Sequence, residues 1–80
     1  MVDLWRAEPL HEQLAAILRT QIDKGELQPG QRLPSELALQ QTYDVSRGTV
    51  RHALKVLRDE GKIVTYLGRG SFVPPKNQDL

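Results

Sequence analysis

Four cations crowd one short run of this sequence, Arg47, Arg51, Lys55 and Arg58, with no acid among them before Asp59. Interleaved with them are Val50, Ala53, Leu54 and Leu57 at spacings i, i+3, i+4 and i+7, which describe a helix with one buried stripe. On a wheel with Val50 at zero, Arg47, Arg58, Arg51 and Lys55 fall at roughly 60°, 80°, 100° and 140°, a single arc beside that stripe. Gly48 and His52 lie further round. Such a layout suits a polyanion. Arginine can donate two hydrogen bonds to guanine O6 and N7 in the major groove. The first turn, Ser46–Thr49, would present free N–H groups and a positive dipole end to a phosphate. Gly48 in that turn leaves backbone bare for close approach. A solvated basic face produces the same pattern, so the helix alone does not decide.

The elements around it favour the first reading. Ser46 is the expected N-cap of this helix, which runs from Arg47 to about Glu60 and stops at Gly61. Ahead of it, Ser35 caps a short helix over Glu36–Tyr43 that buries Leu37 or Leu39 and part of Tyr43. Asp44 tolerates a left-handed turn, and Val45 is the expected plug beneath it. Two short helices joined by so tight a turn form a helix-turn-helix, with the second as reader. A longer helix from Pro9 to Lys24 comes first, its apolar stripe Leu10, Leu14, Ile17, Leu18 and Ile22, and Gly25 ends it. Glu26–Pro34 reads as a turn through Pro29-Gly30.

After Gly61 the period changes. Lys62–Tyr66 is β-branched and aromatic, Leu67-Gly68-Arg69-Gly70 supplies a turn, and Ser71-Phe72-Val73 returns before Pro74-Pro75. The expected fold is mainly α with a small β-hairpin, a winged helix-turn-helix of three helices and a two-stranded wing. Its expected divisions are an arm (1–8), the domain (9–73) and a tail or linker start (74–80). Arg69 between two glycines could enter a minor groove, although Gly-Arg-Gly is also an ordinary exposed turn.

Composition narrows the alternatives. Eighty residues make one small domain, with no cysteine for a disulfide or thiolate metal site. His11 and His52, the two histidines, fall on different helices, so neither a metal site, a cofactor nor catalysis is expected. No apolar run approaches the roughly 20 residues of a membrane span. Asp3, Arg6 and Glu8 interrupt any signal-peptide core, and a cytoplasmic address follows as the expectation. Net charge is only +1, but residues 1–44 hold four Lys/Arg against seven Asp/Glu, and residues 45–80 seven against three. The rival to DNA binding is a winged helix that meets an acidic protein partner. Val2, Leu4 and Trp5 precede the first helix and could pack on it or on a neighbour, with packing on their own domain the expectation.

Three motifs in order resemble the GntR family of bacterial transcriptional regulators. Pro9-Leu10 and Gly25–Glu36 are similar to the family's opening, Val45–Leu54 to its recognition helix, and Gly61 through Gly68-Arg69-Gly70-Ser71-Phe72-Val73 to its wing. The resemblance implies sequence-specific binding of double-stranded DNA, usually repression, at a palindromic operator occupied by a homodimer. It implies that Arg47 and Arg51 contact bases or phosphates. Ser35, Ser46 and Thr49 would bind phosphate, with Gly48 at the same helix start, and Gly68, Arg69 and Gly70 would form the wing tip in the minor groove. It also implies a bacterial protein, nucleoid-associated when on DNA.

The chain departs from the family where Arg-Glu commonly follows Ser35-Glu36; here stand Leu37-Ala38, so no DNA contact is carried over to Leu37. Asp44 replaces a frequent glycine and places an acid near the reading end. Family members usually add a C-terminal effector domain that senses a small metabolite. These residues contain none, and the expectation is a DNA-binding piece cut at its linker rather than a minimal regulator.

Overall fold

Leu14, Leu18, Leu39, Val50, Leu57 and Ile63 are the largest fully buried side chains, and each helix contributes at least one. The computed structural model describes residues 8–75. The expected packing of Val2, Leu4 and Trp5, and the tail from Lys76, lie outside the described residues. The elements run α1 (Leu10–Asp23), α2 (Glu36–Tyr43), α3 (Arg47–Asp59), β1 (Val64–Tyr66) and β2 (Gly70–Phe72). Among the described residues, three helices carry a two-stranded antiparallel sheet, the winged helix-turn-helix expected from the sequence. No helix among the described residues is long and apolar enough to cross a membrane.

Helix α1 starts where Pro9 turns its carbonyl to the Glu12 and Gln13 N–H groups, both at 3.1 Å. Leu14 and Leu18 of its stripe are fully buried, joined by Ala15 and by Gln13, whose Nε2 donates to the Glu8 carbonyl at 3.0 Å. Helix α2 is capped as its sequence implies, with Ser35 Oγ accepting from the Ala38 N–H at 3.0 Å. Of the two leucines it offers to the core, Leu39 is buried and Leu37 is 60% exposed. Asp44 closes α2 in the left-handed region (φ 54°, ψ 53°), and Val45 packs half-buried against the core beneath the turn. Val50, Ala53, Leu54 and Leu57 form the buried stripe of α3, as their spacing requires.

Helices α1 and α3 are also tied at their polar ends. Arg19 grips Glu60 with two hydrogen bonds, Nε to Oε1 at 2.8 Å and Nη2 to Oε2 at 2.6 Å, while Lys62 reaches Asp23 at 2.8 Å. Near their opposite ends, the rings of His11 and His52 stack 3.6 Å apart and 9° from parallel. The hydrogen bond from Arg19 holds the Glu60 carboxyl below its ordinary pKa. Glu60 thus binds its proton more weakly folded than unfolded, so the clamp stabilises the domain above the unfolded pKa and is lost as pH falls through the folded one. Glu60→Gln is expected to lower Tm slightly at neutral pH, with the gap to wild type closing on acidification below the usual glutamate range. Thermal melts across that range check this; a gap independent of pH would remove the clamp's ionic contribution.

The wing differs from its expected extent at both ends. The ladder pairs Val64 with Phe72, Thr65 with Ser71 and Tyr66 with Gly70, so Lys62, Ile63 and Val73 lie outside it. The Lys62 N–H is taken by the Leu57 carbonyl at 2.9 Å, and Ile63 is buried beneath the sheet's entry. A third piece of sheet joins the hairpin from the segment read as a plain turn. Arg32 bridges antiparallel to Phe72; Gly30 donates to the Val73 carbonyl and Leu33 to that of Ser71, each at 2.8 Å. Val73 returns a bond to the Gln31 carbonyl at 2.9 Å. The loop before α2 is therefore an edge segment of the wing.

Candidate nucleic-acid interface

The first turn of α3 is built by its own hydroxyls. Ser46 Oγ accepts from the Thr49 N–H at 3.1 Å and donates to Thr49 Oγ1 at 3.0 Å. That arrangement leaves the Thr49 hydroxyl proton for an outside acceptor, beside the N–H groups that the start of a helix leaves unpaired. Gly48 sits between them, and a Cβ there would meet nothing nearer than Ser46 Oγ at 3.9 Å. Internal packing therefore does not demand glycine at this position, which is consistent with a demand from outside the chain.

The cations of α3 occupy one exposed face, but each has a partner. Arg51 Nε lies 3.4 Å from both oxygens of Glu36, and Arg47 Nε lies 3.9 Å from Glu36 Oε1. Lys55 pairs with Asp59 one turn on at 2.8 Å. Arg58 Nη1 donates to Thr65 Oγ1 at 3.5 Å, and Thr65 in turn bonds Ser71 at 2.9 Å, so the helix leans on the wing. The sequence places Asp59 and Glu60 beyond this face's far end and Asp44 before its reading end, and does not place Glu36 there. Glu36 enters it from α2 because the helix-turn-helix crossing brings the start of α2 over the arginines.

At the wing tip, Arg69 N–H donates to the Tyr66 carbonyl at 2.9 Å, closing a turn with Gly68 at φ +75°. Gly70 follows at φ +99°, and a Cβ there would fall 3.0 Å from Arg32 Nε. The Arg32 guanidinium thus lies over Gly70 at the base of the tip, an added cation that sequence reading did not place in the site. Leu67 is wholly exposed at that tip, and Tyr66 packs edge-on against Phe72. A groove between α3 and the wing is lined by Arg32, Ser35, Leu37, Arg51, Tyr66 and Leu67. Arg47, Gly48, Thr49, Arg51 and Ser46 share the start of α3, whereas Gly68, Arg69 and Gly70 belong to the wing.

The gntR family of bacterial regulatory proteins matches residues 10–73. The chain belongs to the GntR family. The mannosyl-D-glycerate transport/metabolism system repressor MngR of Escherichia coli K12 is 46% identical over 66 residues, covering 82% of this chain and 28% of that protein. The chain thus spans less than a third of the length of such curated relatives. Among solved structures, the GntR-family transcription factor YtrA of Sulfolobus acidocaldarius superposes with a TM-score of 0.87 at 37% identity, covering 95% of this chain and 80% of that one. The DNA-binding domain of AraR in complex with its operator ORX1 superposes at 0.81 and 33% identity, covering 82% and 80%. GntR relatives with functional names are transcription regulators, not enzymes.

Proposed function

We propose that this chain is the operator-reading domain of a bacterial repressor, with α3 in the major groove and the wing tip 68–70 in the minor groove. The carrying observation is the cationic face of α3: Arg47 and Arg51 stand exposed over the capped helix start, and Arg51 shares a groove with the wing. The AraR domain in its operator complexes supports this reading, as does the repressor name of MngR. Arg47 and Arg51 would contact bases, while Ser35, Ser46, Thr49 and the backbone at Gly48 would meet phosphate.

The pairs to Glu36 hold these arginines only lightly. Exposed ion pairs such as those to Glu36 contribute about 0–1 kcal/mol, whereas a bidentate arginine–guanine contact discriminates by about 1–3 kcal/mol. Two copies on a palindromic operator would supply the affinity that one half-site lacks. An effector ligand would belong to a domain outside these residues. Such a protein would work in the cytoplasm, on the nucleoid.

Selection of bound sequences from a random duplex pool tests the reading. A recovered inverted repeat is expected, with log affinity falling linearly against log salt. Arg69→Ala is expected to reduce that slope by about one phosphate's worth. No detectable binding to any duplex at low salt would instead favour an acidic protein as partner.

A further inference from the structure

The geometry points to Glu36 as a specificity-determining positioning residue: its carboxylate presets Arg47 and Arg51 as a pair and weakens their grip on duplex that offers only phosphates. This rests on the DNA-reading function above. Glu36 is the first residue of α2, and the Ser35 cap fixes that helix start. Its two oxygens lie 3.4 Å from Arg51 Nε, and Oε1 is 3.9 Å from Arg47 Nε. One carboxylate therefore serves two guanidiniums a helical turn apart. Both are approached through Nε, which leaves the Nη groups for the two-pronged contact that guanine O6 and N7 require.

The same carboxylate disfavours a phosphate. Sequence-independent binding depends on cations neutralising backbone charge, and an anion between the two arginines repels that charge and competes for the cations. A base edge carries no net charge, so contact through Nη keeps the Glu36 pairs intact. The acid thus subtracts more from random duplex than from a matched site. Stability does not account for the arrangement, because Arg51 and Arg47 are 59% and 65% exposed and exposed pairs contribute little. Asp59 and Glu60 are engaged with Lys55 and Arg19 at the far end of α3.

The test measures affinity of the 80-residue chain for its best selected duplex and for a shuffled duplex of equal composition, over a salt series. Glu36→Gln is compared with Glu26→Gln, which removes the same charge from the turn after α1. Glu36→Gln is expected to bind the shuffled duplex about fivefold tighter, with a salt slope steeper by about one. Its ratio of selected to shuffled affinity is expected to fall about tenfold, while Glu26→Gln leaves that ratio unchanged. Glu36→Asp keeps the charge on a shorter arm; it is expected to hold shuffled binding at the wild-type level and lose affinity for the selected duplex alone. A Glu36→Gln ratio equal to that of wild type or of Glu26→Gln overturns the inference while leaving DNA reading intact. A wild-type chain that binds neither duplex overturns both.

Discussion

Leu57→Ala is expected to leave much of the domain unfolded at physiological temperature. Leu57 is fully buried in α3, inside the cluster that joins Leu14 and Leu18 of α1 to Leu39, Leu33 and Ile63. Truncating a buried leucine costs about 2–5 kcal/mol, from lost transfer energy and the cavity left behind. A core in a domain this small rarely supplies more than about 3–5 kcal/mol, so one substitution consumes most of the margin. The loss also reaches the wing, since Leu57 lends its carbonyl to Lys62 and packs in one cluster with Ile63. Urea unfolding followed by circular dichroism checks it. A midpoint close to wild type would mean that the site collapses without a cavity and that the core is more plastic than its burial suggests.

Arg51→Ala should act oppositely, leaving the fold alone and disabling recognition. Its side chain is exposed, and its pair with Glu36 is of the kind that contributes little to stability. If it contacts guanine with two donors, its loss costs about 1–3 kcal/mol of affinity, or about fivefold to over a hundredfold. The loss should shrink when the contacted base pair is changed, because the mutant no longer distinguishes it. Titration of wild type and mutant against the selected duplex and its single-base variants separates this from a phosphate contact, which would weaken all variants alike. Equal loss on every duplex would move Arg51 from the base readers to the phosphate contacts.

Most of the fold was legible because its boundaries are written locally. Ser35 and Ser46 each cap the helix that follows, Asp44 takes the left-handed turn, and the stripe of α3 is buried position for position. What stayed illegible depends on partners far along the chain. Leu37 and Leu39 sit two residues apart on a short helix and cannot both face inward; only the packed α3 selects Leu39. Gln31-Arg32-Leu33, between Pro29-Gly30 and Pro34, carries turn residues on both sides, and its sheet character exists only through bonds to Ser71 and Val73. His11 and His52 read as unrelated until α1 and α3 cross and stack them.

The candidate site divides in the same way. The cationic arc follows from helical period alone, and the wing tip from its glycines. The carboxylate of Glu36 inside that arc, and the Arg32 guanidinium over Gly70, follow from how separate elements cross. A sequence shows which charges a helix carries; it does not show which neighbour holds them.

The edge segment before α2 has a mechanical consequence. Val73 is stitched on one side to Gly30 and Gln31 and on the other continues directly from β2. Tension or torsion applied downstream of Val73 therefore loads the sheet and the entrance of α2 together, and passes to α3 through the shared core and the Arg58–Thr65 contact. A tug on the exit strand would thus be felt at the wing and at the reading helix together.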